Sequence, residues 1–355
     1  MITRRKLQIT MALMFLFAML IPATAASAQS VTLGGAAWFT DAPGSAVGAS
    51  NGLFIDLTGA PSLGAGFRYE GWLVASDGTK ISVGTYTGPN LNGTWVSPSN
   101  ENLASTYVQL LLTKEPVPDP DLATAGATVL SSTITAGILG PLRALLASSS
   151  ATASSNGVAL ALHGQATIAA AHAALSQGST TLVLMQNHAQ HVINVIDGLG
   201  EPGDSIGILS YAREAKAQAT AAKATVPIST VPAEKFLITQ ADQVIASADR
   251  VIDRAGVAKT NAQALINSST KNAIADVSAV NVKNMSDQML SSAASLIASS
   301  QALSLFVPVD GLVPAPTAPS AGDELVPMMA LLALVAGVVF ASGGFAMLRR
   351  RGSAA

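Results

Sequence analysis

Apolar and polar positions along this chain repeat with two different periods. Between Val31 and Lys114 the apolar runs are short and bounded by turn dipeptides. Leu53-Phe54-Ile55-Asp56-Leu57 follows Asn51-Gly52. Phe67 to Val74 alternates, with Phe67, Tyr69, Gly71 and Leu73 on one side. Asp77-Gly78 leads into Ile81 to Tyr86, Asn92-Gly93 into Thr94-Trp95-Val96, and Tyr107 to Thr113 closes the set. This pattern predicts an N-terminal antiparallel β-sandwich over residues 31–114. Beyond Thr128 the spacing changes to threes and fours. Leu182, Met185, Ala189, Val192, Ile193 and Ile196 lie on one such stripe; Leu237, Val244, Ile245, Ala248, Val251, Ile252 and Ala255 on another; Val277, Val280, Met285, Met289, Ala293, Leu296 and Ile297 on a third. These predict an α-helical bundle over residues 128–307, broken by Gly198–Gly203 and by Pro227 and Pro232. The expected fold class is therefore multidomain α+β, with one further helix at the C-terminal end.

That last helix is expected in a membrane. Pro327 to Leu348 carries no charge and is followed at once by Arg349, Arg350 and Arg351. About 20 apolar residues span the hydrocarbon core, and the arginines hold the 349–355 tail on the cytoplasmic side. The N-terminus has the three parts of a secretory signal: Arg4, Arg5 and Lys6, an apolar run from Leu7 to Ile21, and Ala26-Ser27-Ala28 before Gln29. Residues 1–28 are read as a cleaved signal peptide. The expected location is a single-pass anchor with most of the chain outside the cytoplasm, at the membrane or the cell wall.

Composition narrows the chemistry. There is no cysteine, which excludes disulfides and thiolate chemistry, and the net charge of −2 offers no basic footprint for nucleic acid. Aromatic residues thin out sharply after Tyr107, and from Thr128 to Val307 only Tyr211, Phe236 and Phe306 remain. The Pro-rich stretch beginning at Glu115 lies on this shift and is read as an extended linker over 115–127. A second Pro/Ala/Gly-rich linker is expected over 308–326. The alanine-rich helical faces predict close helix spacing, a thin core and modest stability for that half.

Two stretches resemble known families. Tyr69-Glu70-Gly71-Trp72-Leu73-Val74, Asp77-Gly78 and Ser82-Val83-Gly84-Thr85-Tyr86 resemble the extracytoplasmic domain of anti-sigma-K factors. A secretion signal stands where that family has its cytoplasmic sigma-binding segment, so the resemblance implies a sensing, docking or spacer unit. The C-terminal tail is similar to a sortase sorting signal, with Ala318-Pro319-Ser320-Ala321-Gly322 where that family has Leu-Pro-x-Thr-Gly. Alanine replaces the attacked threonine, and retention by the helix is expected.

Candidate chemistry is sparse. The four histidines all fall in the helical region. His188 and His191 share a helix face, and a chain reversal near Gly178 is expected to bring His163 level with His191. His163, His188 and His191, with Met185 one turn below His188, form the candidate group for a metal ion or haem. His-Ala-Gln-His lacks the glutamate of the zinc-protease motif. Trp38, Trp72 and Trp95 are expected in the sandwich core, with Trp95 the best placed for an exposed platform for a partner or glycan. Glu201-Pro202-Gly203-Asp204 reads as a turn, and Asp249-Arg250 with Asp253-Arg254 as a solvated charged face. No catalytic motif appears. The expected function is a non-enzymatic bacterial cell-surface protein, anchored by its C-terminal helix and docking a protein or cell-wall partner. The alternative is a metal- or haem-binding envelope protein.

Overall fold

The computed structural model describes residues 34–227 and 231–307. The predicted signal peptide, the second linker, the apolar segment 327–348 and the basic tail lie outside the described residues. Within them the protein is mixed α+β, with two antiparallel sheets and seven helices.

Seven strands build the sheets: β1 (Gly34–Thr40), β2 (Gly52–Thr58), β3 (Phe67–Ala75), β4 (Lys80–Tyr86), β5 (Leu91–Val96), β6 (Tyr107–Pro116) and β7 (Ala127–Thr133). One sheet has the order β1-β2-β5, the other β4-β3-β6-β7. The β3–β4 hairpin turns at Asp77-Gly78 as predicted. Gly78 takes a positive φ of 87°, and Asp77 accepts from the Thr79 amide. Asn92-Gly93 does not turn the chain. It lies inside β5, where Gly93 pairs with Ile55. Asn51 is a buried hub rather than a turn residue: its side chain accepts from Ala42 N–H and donates to Ser45 and Asn100.

The largest departure from expectation is at the junction of the two halves. Residues 127–133, assigned above to the linker and the first part of the bundle, form β7 and pair with β6 from Gln109↔Thr133 to Lys114↔Ala127. The Pro-rich segment is the return loop between these partners, not a linker between bodies. It folds back on the sheet, where Gly126 N–H donates to the Glu115 carboxylate and Asp119 approaches Arg68. Proline-rich composition reads alike for a linker and for a loop, and only strand pairing separates them. The loop helps close the face of β3 and β6 that carries Glu70, Trp72, Thr113 and Glu115, all buried. The Thr113 hydroxyl accepts from the Trp72 indole N–H at 2.9 Å and donates to Glu115. Thr113→Val keeps the shape, strands the buried Trp72 indole N–H and removes one of the two donors to Glu115. It is expected to cost about 2–3 kcal/mol in urea unfolding, whereas a change below about 0.5 kcal/mol would show the pairing to be irrelevant.

A short helix α1 (Leu103–Thr106) precedes β6. The remaining helices are α2 (Ala136–Leu146), α3 (Val158–Gly178), α4 (Leu182–Asp197), α5 (Gly207–Thr225), α6 (Pro232–Ile266) and α7 (Ala273–Ala302). Their ends follow local chemistry. Thr181 and Asn272 cap α4 and α7 through their side-chain oxygens, Pro232 opens α6, and Gly198 closes α4 in the left-handed conformation. Asp204, in the predicted turn, accepts from the Ile206 and Gly207 amides at the head of α5 and from the Tyr211 hydroxyl. The buried faces are lined with alanine, among them Ala166, Ala169, Ala173, Ala215, Ala219, Ala248 and Ala255. Among the described residues α3 alone is long and apolar enough to cross a membrane. Its Leu162, Ala166, Ala169 and Ala173 are fully buried against other helices.

Sheets and helices share one continuous apolar core. The chain after α7 returns to β1, where Ala37 and Phe306 exchange both backbone hydrogen bonds, at 3.0 and 2.8 Å. The Phe306 ring stands edge-on to Phe39 at 5.4 Å, and Trp38 lies 6.1 Å from Phe236 of α6. Gln301 donates to Asp41 at 2.6 Å, and Phe39 N–H to Ser304. Trp38 is therefore buried against a helix as well as its own sheet.

Candidate functional site

The site lies on the α3–α4 hairpin. These helices are joined by only Ser179 to Thr181, so they run antiparallel side by side. The turn is braced from outside. Gln186 donates to the carbonyls of Ile266 and Ser268 at the end of α6, each at 2.8 Å, and Lys271 donates to Ser179 O at 2.9 Å. Inside it, the Ser176 hydroxyl donates to Met185 O.

Across this hairpin His172 of α3 faces His188 and His191 of α4. The Nδ1 atom of His172 lies 3.2 Å from Nδ1 of His188 and 3.2 Å from Nδ1 of His191. The ring centroids are 4.7–5.8 Å apart. One potential ligand atom from each ring lies within 4.8 Å of the others, and all three side chains are half-buried. Burial first, then the neighbouring His191 and His188, push the pKa of His172 below the usual imidazole value. Both effects favour the neutral imidazole, the form that ligates a metal ion.

The spacing tests the arrangement chemically. An imidazole Nδ1 carries either one lone pair or one proton. His172 Nδ1 cannot make two good hydrogen bonds to two other Nδ1 atoms. A cation that drew on the lone pairs of these rings would remove the conflict. In a tetrahedral site with bonds of 2.0–2.1 Å, neighbouring nitrogens stand about 3.3 Å apart, close to the two 3.2 Å separations here.

His163 is not part of this group. It lies nine residues before His172 on α3, half a helical turn out of phase and about 13 Å away along the axis. It is close enough to Asp41 of the sheet side to interact with it electrostatically. The expectation misjudged where the chain reverses. With α3 ending at Gly178 and α4 starting at Leu182, the midpoint is residue 180, so His172 and His188, each eight residues away, come level. Met185 is buried in the core, one turn below His188. Trp95 sits on the edge strand β5 opposite Leu53, half-buried and packed against the core.

Burial lowers the pKa of His163 below its ordinary value, with Asp41 opposing the shift. The unfolded chain thus binds a proton at a higher pH than the folded one. The stability this gives is complete above about pH 6.5 and drains away as pH falls through the lowered folded value. His163→Gln is expected to flatten the fall in stability below about pH 6.5 in denaturant titrations; an unaltered slope would contradict this.

No family model matches the chain, and no curated protein or solved structure is detectably similar to it.

Proposed function

We propose that this chain is an exported, membrane-held protein of the bacterial envelope whose helical half binds one exchangeable divalent transition-metal ion through His172, His188 and His191. Two 3.2 Å Nδ1–Nδ1 approaches at His172, within a cluster of three imidazoles from two braced helices, carry this reading. An all-imidazole set suits Cu(II), Zn(II) or Ni(II), and the lack of cysteine removes the thiolates that would favour softer ions. The 3.2 Å separations support a bare ion over haem, because a macrocycle could not fit between rings that close. None of the three imidazoles donates its second nitrogen to another group among the described residues. Metal-binding histidines in tight sites usually have such a partner. Half-buried rings without one fit an ion that exchanges, and hence sensing or delivery.

The export signal and the C-terminal anchor are proposed on their sequence patterns alone. The finer architecture we propose is a β-sandwich of the two sheets beside a helical bundle. The residues resembling the anti-sigma-K extracytoplasmic domain lie on the β3–β4 hairpin, and a docking or sensing role for that face is part of the same proposal.

The test is metal titration of the purified, chelator-stripped full chain. One equivalent of Cu(II), Zn(II) or Ni(II) is expected to bind with Kd on the order of micromolar or tighter. Co(II) substituted at the site should show the intense visible bands of a tetrahedral centre. Absence of stoichiometric binding by all four ions would end the reading. Protease added to intact cells tests the location separately: it should cut residues 34–307, and complete protection would refute export.

A further inference from the structure

A second site, independent of the histidines, lies in the groove between α6 and α7. The pattern Asp249-Arg250 and Asp253-Arg254 predicts one solvated charged stripe, but the structure divides it. Asp249 turns to α5 and pairs with Lys216 at 2.7 Å. The two arginines line a cavity of about 270 Å³ together with Gln243, Ser247 and the serines of α7. Positions 243, 247, 250 and 254 fall on one face of α6, and 288, 292, 295 and 299 on the opposing face of α7.

Every group the arginines touch in this groove is neutral. Arg254 donates through Nε to Gln288 at 2.9 Å and through Nη1 to Ser292 at 2.6 Å. Arg250 donates to Ser247 at 2.7 Å. Neither forms an ion pair with a carboxylate among the described residues. Burial and the nearby Arg250 lower the Arg254 pKa, and only Asp253, exposed to solvent, opposes them. Arg254 is thus a part-buried cation with no carboxylate ion pair among the described residues, beside the solvent-exposed Arg250. Each guanidinium has five N–H donors, of which Arg254 uses two and Arg250 one in hydrogen bonds among the described residues. Such a fork matches the oxygens of a phosphate or carboxylate. The rest of the wall is built from serine and glutamine, with no aromatic ring, although most of the surface these side chains present is carbon. Serine and glutamine can both donate to and accept from sugar hydroxyls.

We propose that this groove binds a small polyhydroxylated anion, of the class of sugar phosphates and sugar acids, with Arg250 and Arg254 on the anionic group and the Ser/Gln wall on the hydroxyls. The cavity is of monosaccharide size, below the usual range for larger ligands. The test is calorimetric titration of the purified full chain with glucose 6-phosphate, glucuronate, inorganic phosphate and glucose. Both acid sugars are expected to bind, each more tightly than inorganic phosphate, and glucose to give no signal. Arg254→Gln and Arg250→Gln should each weaken binding by about tenfold or more. Lys223→Gln, outside the groove, should leave it unchanged. Should the arginine variants not fold, Ser295→Leu blocks the groove without altering either guanidinium and should abolish binding. Silence of all three anions at about 10 mM would overturn the proposal. So would unchanged affinity in Arg254→Gln or Ser295→Leu, or inorganic phosphate binding as tightly as the acid sugars.

Discussion

Replacing His172 with alanine is expected to weaken metal binding by at least about a hundredfold and to abolish stabilisation by the ion. His172 is the shared member of both 3.2 Å contacts and the only ligand from α3. Without it, His188 and His191 remain as an i,i+3 pair on a single helix, a two-coordinate site that no longer ties the hairpin together. Loss of an outer partner of a metal ligand typically costs 10–100-fold, and loss of the ligand itself should exceed that. A bound ion raises stability by RT ln(1 + [L]/Kd), about 2.7 kcal/mol at a hundredfold excess over Kd. The parent protein should show that gain in metal-dependent melting, and His172→Ala should show none. His163→Ala should behave as the parent, because His163 faces Asp41 away from the cluster. A His172→Ala protein with undiminished affinity, or a His163→Ala protein that loses the ion, would remove the basis for the proposed function.

The second large effect is structural. Phe306→Ala is expected to cost about 3–5 kcal/mol, the usual range for removing a fully buried phenylalanine. The ring fills the junction between the helical half and β1 and stacks edge-on against Phe39. The backbone of Phe306 is paired with Ala37, so the surroundings have little freedom to collapse into the cavity. Because sheets and helices share one core, the loss should lower one cooperative transition seen alike by far-UV dichroism and tryptophan fluorescence. All three tryptophans lie on the strands, Trp38 on β1, Trp72 on β3 and Trp95 on β5, so fluorescence reports the sheets. Two separate transitions, with the mutation moving only one, would show that the halves fold independently. The composition-based expectation of a weak helical half treated that half as alone. Gln301 to Phe306 fasten it to the sheets, and their contribution is absent from any count of alanines.

Several features of both fold and site were legible in the residues. The 3.6-residue stripes located α4, α6 and α7 to within a few positions, and Asp77-Gly78 marked the hairpin it forms. His188 and His191 were recognisable as a pair because i,i+3 neighbours share a face whatever the rest of the protein does. Strand β7 was missed because Ala127–Thr133 shows no strong alternation and follows a Pro-rich stretch. Its identity comes from its pairing with β6. Asn92-Gly93 misled for the same reason: a turn dipeptide can be taken up by a strand when both neighbours offer a register. Arg250 is exposed, as the charge pattern suggested, whereas Arg254 is part-buried against Gln288 and Ser292, which lie more than thirty residues away in the chain.

The division follows the range of the forces. Sequence alone determined what neighbours within a turn of helix or a tight hairpin decide: the kinds of element, most of their ends, the absence of thiol chemistry and the facing of His188 with His191. Tertiary structure alone decided which histidine joins that pair, which strand closes the second sheet, and that one core serves both halves. Each of these turns on a register between distant segments. A shift of a few residues in where α3 gives way to α4 exchanges His163 for His172, and the local pattern of apolar residues is almost indifferent to it.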